Sequence, residues 1–77
     1  MFKKSNEIEG IVTFGQNIRK LRKSRKLSMQ QLANMAEIEL SQIYRIETGK
    51  INPKLSTILS IARALEISSK ELMPDKF

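Results

Sequence analysis

Cysteine and histidine are both absent from this 77-residue sequence. Without thiols there is no disulfide and no thiolate metal site. Without imidazole there is no Cys/His metal cluster, no Ser/His/Asp or Cys/His nucleophile pair, and the usual general base is missing. Glycine is scarce: Gly10, Gly15 and Gly49 are scattered, so no glycine-rich loop is available to cradle a phosphate. Acids are present, but none stands beside a partner suited to acid–base work, so an enzyme is not expected. The start of the chain, MFKKSNEIEGIV, lacks the apolar core of a secretory signal. No run approaches the ~20 apolar residues of a membrane span. A cytoplasmic protein, without cofactor, metal or evident small-molecule ligand, is expected by default.

What is abundant is positive charge. The net charge is +6. Between Arg19 and Lys26 the basic residues are Arg19, Lys20, Arg22, Lys23, Arg25 and Lys26. Such an imbalance fits a polyanion partner, and by itself does not separate DNA from RNA or an acidic membrane surface. The length fits one small domain. A domain of this size buries only ~60% of the surface its unfolded chain exposes, so burial against a second subunit is a natural remedy.

The chain is organised around Leu27 to Gly49. Ser28 precedes an apolar-periodic run and Gln31 follows three residues later, the Ser-x-x-Gln form of a capping box. Leu32, Ala33 and Ala36 then share one side of a short helix, and the two alanines let another helix approach closely. A tight turn, Glu37-Ile38-Glu39, leads to a second helix over Leu40 to Thr48. Ile43 and Ile46 face inward with Ile38. Leu40, Ser41, Tyr44, Arg45 and Thr48 lie on the other side, within about 140° of arc. That outer face contains no acid. Two readings of it stand: a solvated helix surface, or a face laid into a DNA major groove, where Arg reads guanine edges and apolar groups meet thymine methyls.

The residues LSMQQLANMAEIELSQIYRIETGKINP, followed by LSTILSIARALEI, closely resemble the XRE family, the Cro and CI-like helix-turn-helix domains of bacterial and phage repressors. The resemblance runs from about Phe14 to Leu72. It implies an all-α domain of five helices, in the manner of lambda repressor, with the helix-turn-helix at helices 2 and 3. It also implies sequence-specific binding of double-stranded DNA, by a homodimer on a near-palindromic operator. Leu40, Ser41, Tyr44 and Arg45 would then meet bases. Thr48 and Lys50 stand where this family touches the DNA backbone, with Lys54 beside them. Gln30 would serve in place of a phosphate-binding Gln that this sequence replaces with Met29. For Arg19 and Lys26 phosphate contact and a plain solvated face carry equal weight. The Arg at position 22 pairs, in this family, with the Glu that ends the recognition helix, here Glu47. Two positions depart from the pattern. Glu37 replaces a glycine of left-handed conformation, at a cost of roughly 1 kcal/mol. Glu39 replaces a Ser or Thr cap; its carboxylate repels phosphate, which puts the family's phosphate contact at this helix start in doubt, and acceptance from a cytosine N4 group is the lesser alternative.

The flanks read as support. Residues 1–12 show no clean helical period and are expected as a partly flexible arm, with Lys3 and Lys4 either frayed or following DNA. Helix 1 is expected from Thr13, with Gln16 completing a box and Phe14, Ile18 and Leu21 as its stripe, and the domain from 13 to 73. Helix 4 is expected from Leu55 or Ser56 to Leu65, and a fifth from Ser68 until Met73-Pro74, leaving 74–77 as a tail. Leu59, Ile67, Met73 and Phe77 are candidates for a dimer interface; closing the monomer's own core is the equal alternative. The rival from another class is a protein-interaction module, for example an antitoxin, that uses the same fold to bind an acidic protein.

Overall fold

The computed structural model describes residues 4–67, with side chains from Ile8 onward. Among these residues the elements are four helices: α1 (Lys4–Ser24), α2 (Met29–Ala36), α3 (Leu40–Glu47) and α4 (Leu55–Leu65). The fifth helix expected from Ser68, with Met73 and Phe77, lies outside the described residues.

α1 begins nine residues before the start expected at Thr13. Ile8, Ile11 and Val12 follow an i, i+3, i+4 spacing that runs on to Gly15 and Ile18, and this period outweighs the local Thr-x-x-Gln signal. Thr13 therefore sits inside the helix. Gly15 is buried and shows why this face lacks side-chain bulk: a Cβ there would run into the Ile46 carbonyl oxygen of α3. α1 thus lies backbone-close on the end of α3.

α2 starts as its sequence dictates. The Ser28 hydroxyl accepts from the Gln31 N–H at 3.0 Å, and the Gln31 side chain accepts from the Ser28 N–H at 2.8 Å. Each of the four helices ends the same way, in a Schellman closure. The residue after the last turn takes a left-handed backbone, and the next N–H bonds back five residues. Lys26, Glu37, Gly49 and Glu66 hold the left-handed position, with φ of 59°, 60°, 71° and 57°. The closing bonds run from Leu27 to the Arg22 carbonyl, Ile38 to Ala33, Lys50 to Arg45 and Ile67 to Ala62. In three of them the bonding residue is apolar, and Leu27, Ile38 and Ile67 all turn onto the core. This explains the place of Ile67, which packs against its own chain. Only Gly49 meets two demands at once: its φ is positive, and a Cβ there would come within 2.9 Å of Val12 Cγ2.

The core is Phe14 and Ile18 of α1, Leu32, Ala33 and Ala36 of α2, Ile43 and Ile46 of α3, and Ile58, Ile61, Ala62 and Leu65 of α4. α3 packs against both α1 and α2, and α2 packs in turn on α4. The outward side of α3 is left uncovered. Among the described residues no helix is long and apolar enough to cross a membrane.

Candidate nucleic-acid interface

α3 presents two chemically distinct faces. Ile43 and Ile46 are fully buried, and Glu47 is buried with them. Leu40, Ser41, Tyr44, Arg45 and Thr48 are exposed. Leu40 keeps 42% and Tyr44 50% of their surface, far more than a side chain held by its own fold.

The inner face is fixed by charge as well as by apolar contact. Arg22 Nε donates to Glu47 Oε2 at 2.7 Å and Nη2 donates to Oε1 at 3.0 Å, a bidentate pair across 25 residues of sequence. The remaining terminal nitrogen, Nη1, donates to the Leu27 carbonyl at 2.7 Å. Both side chains are almost wholly buried, at 8% and 3% exposure. Removing either partner strands a buried charge, which is costlier than the pair's net contribution. One guanidinium therefore ties α1, the loop before α2, and the C-terminal end of α3 together.

Thr48 closes that end differently. Its hydroxyl donates to the Tyr44 carbonyl at 2.7 Å. The hydroxyl proton is committed inside the helix, so a phosphate oxygen, itself an acceptor, finds no donor there. What Thr48 offers an outside ligand is its methyl group and the acceptor side of its hydroxyl oxygen. Gln30 also has a partner, its amide donating to Asn34 Oδ1 at 2.9 Å, yet it stays exposed on α2. Lys50, Lys54, Arg19 and Lys26 are exposed. Arg19 stands one turn past Gly15, so it lies on the flank of α1 turned towards α3. Lys26 occupies the left-handed position that closes α1.

The turn between α2 and α3 is acidic. An open hollow of about 440 Å³ is lined by Gln30, Glu37, Ile38, Glu39 and Leu40. Glu39 stands at the start of α3 with an extended backbone and makes no side-chain capping bond. Its carboxylate is thus uncommitted in the helix, and with Glu37 it disfavours phosphate at this point. Of the dimer candidates, Leu59 is 47% exposed on α4, and Leu55, one turn before it, is 65% exposed. Gly15 and Val12 were missed from sequence as parts of the site's frame. The available signal was a glycine within a helix, three residues before Ile18 and seven before Arg22 on one face.

Two short helices joined by a three-residue turn, the second buried on one side and bare on the other, define a helix-turn-helix domain. Residues 15–75 match the helix-turn-helix domain family, and the chain belongs to it, in the XRE group that its motif resembles. The HTH-type transcriptional repressor RghR of Bacillus subtilis is 44% identical over 62 residues, covering 79% of this chain and 46% of its own. The immunity repressor protein of Bacillus phage phi105 is 38% identical over 65 residues, covering 84% of this chain and 45% of its own. The chain thus spans somewhat less than half the length of these relatives. Among solved structures, the restriction-modification controller protein C.AhdI from Aeromonas hydrophila superposes with a TM-score of 0.81 at 38% identity, covering 82% of this chain and 96% of that one. The expectation about enzyme activity, drawn from missing catalytic groups, gives way to the kinship itself: the matched relatives are named as transcriptional repressors and a controller protein.

Proposed function

We propose that this chain is a sequence-specific double-stranded DNA-binding regulator of transcription, a dimeric repressor or autoregulated controller acting in the cytoplasm on a near-palindromic operator. The observation that carries the reading is the division of α3: an inner face locked by Arg22–Glu47 and an outer face, free of acid, that no part of the described chain covers. Repressor and controller are the words in the names of its relatives, and the net charge of +6 suits a phosphate-rich partner.

In this reading α3 enters the major groove. Arg45 takes a guanine edge, with Ser41, Tyr44 and Leu40 beside it. Lys50, Lys54, Gln30, Arg19 and Lys26 meet phosphates and fix the register, while Thr48 offers its methyl and the acceptor side of its hydroxyl. A second copy docks through α4, where Leu55 and Leu59 form an exposed apolar step one turn apart. Two recognition helices then sit about 34 Å apart, in successive grooves. Occupancy alone would regulate, by blocking polymerase or by touching it from an adjacent site.

The test is selection of bound duplexes from a random pool, then titration of the winner at two salt concentrations. A palindromic winner is expected, with half-sites near one helical turn apart and affinity falling steeply with salt. Arg45→Ala should then lower specific affinity by about 1–3 kcal/mol and relax the preference at one base. No enrichment over random duplex overturns the reading in favour of a protein-interaction module.

A further inference from the structure

Where α1 meets the C-terminal end of α3, each side contributes a glycine. Gly15 of α1 lies against the backbone of Ile46 and Glu47, and Gly49, which closes α3, lies against Val12 of α1. A Cβ at Gly15 would run into the Ile46 carbonyl oxygen and stand 3.1 Å from the Glu47 carbonyl oxygen. Both obstacles are main chain, and neither can turn aside as a side chain could. A Cβ at Gly49 would meet Val12 Cγ2 at 2.9 Å and Val12 Cα at 3.3 Å. That collision is softer, because the nearer atom belongs to a partly exposed side chain. The residue before Ile46 is Arg45, exposed on the outer face of α3, and the residue one turn past Gly15 is Arg19, exposed on the flank of α1. The close approach at Gly15 therefore lies between two exposed arginines, one on each helix.

Resting on the DNA-binding reading above, we infer that Gly15 is a positioning residue for base recognition, with Gly49 behind it: the missing side chains set how far Arg45 stands from the phosphate-holding cations of α1. The Arg22–Glu47 pair draws the same two helices together. The glycines decide where that pull stops. Carbon–oxygen contacts settle at about 3.3–3.6 Å, so a Cβ at Gly15 would part the two backbones by roughly 1 Å. A binding constellation works only within about 0.5 Å of its geometry. An arginine that bonds both acceptors of a guanine edge cannot follow a larger shift while the α1 cations stay on their phosphates. Phosphate contacts are more tolerant, because they need only charge on a long side chain. Opening this joint therefore removes discrimination between bases before it removes binding to DNA.

The measurement is a ratio: affinity for the selected operator over affinity for the same duplex with the base pair read by Arg45 replaced. A partly unfolded chain binds both duplexes more weakly by one common factor, so lost stability cancels from the ratio. Ile61→Val, a core change on α4, checks this and should keep the wild-type ratio. In Gly15→Ala the ratio should fall about tenfold, while affinity for random duplex at low salt changes by less than about twofold per folded chain. Gly49→Ala should lower the ratio in the same sense by a smaller factor, and it carries the test by itself should Gly15→Ala fail to fold even at saturating operator. A wild-type ratio in Gly15→Ala, or in Gly49→Ala where that variant carries the test, overturns the inference and leaves the DNA-binding reading intact. Failure to select any operator overturns that reading, and this inference with it.

Discussion

α2 and α3 are each eight residues long and share one buried seam, yet they start in opposite ways. α2 opens on a complete capping box, two bonds made between Ser28 and Gln31. α3 opens on Glu39, whose side chain makes no capping bond. The first helix closes its own first-turn donors locally. In the second the equivalent donor, the Gln42 N–H, bonds the Glu39 carbonyl at 3.0 Å instead of a side chain, and the helix draws its order from its neighbours, the Arg22 pair at its far end among them.

Four substitutions sharpen or break this contrast. The largest effect is expected for Glu47→Ala, which strands the Arg22 charge among buried groups. About 3–5 kcal/mol of stability should be lost in denaturant titration. An unchanged melting temperature would show that α3 does not depend on this tertiary tie. Next is Ser28→Ala, which removes the α2 cap and should cost about 1 kcal/mol. A cost below a few tenths would mean that α2, too, is held by packing alone. Glu37→Gly acts at the turn between them. It relieves a left-handed non-glycine backbone and should raise stability by roughly 1 kcal/mol, checked by the denaturation midpoint. The smallest effect is expected for Glu39→Ser, which gives α3 the cap it lacks and should add about 0.5 kcal/mol. If that gain comes with unaltered operator preference, the open start of α3 has no bearing on recognition.

The central motif was largely legible because its signals are local. The Ser28 box and the inward set Leu32, Ala33, Ala36, Ile43 and Ile46 follow from spacing alone, and each stands in the structure where spacing places it. The start of α1 was misread at Thr13, since a Thr-x-x-Gln pattern is the same inside a helix as at its edge. Only the apolar period through Ile8, Ile11 and Val12 tells the two apart. Lys26 and Glu66 were also opaque as helix ends. Residues with a Cβ give no sign of a left-handed backbone, and the apolar residue that follows each of them is the better clue. Gly15 needed three dimensions: what it makes room for is a carbonyl oxygen distant in sequence. Of the interface, the bareness of the outer face of α3 was readable, while the bond from the Thr48 hydroxyl to the Tyr44 carbonyl was not, since it depends on a rotamer.

The contacts that grip α3 from α1 are gathered at one end. Gly15 meets Ile46, Arg22 holds Glu47, and Val12 lies on Gly49. The contacts with α1 are confined to that end, while Ile38 of the turn and the fully buried Ile43 hold the first half of α3 to the core. Amide hydrogen exchange should follow that difference, slow at residues 46 and 47 and fast in the first turn.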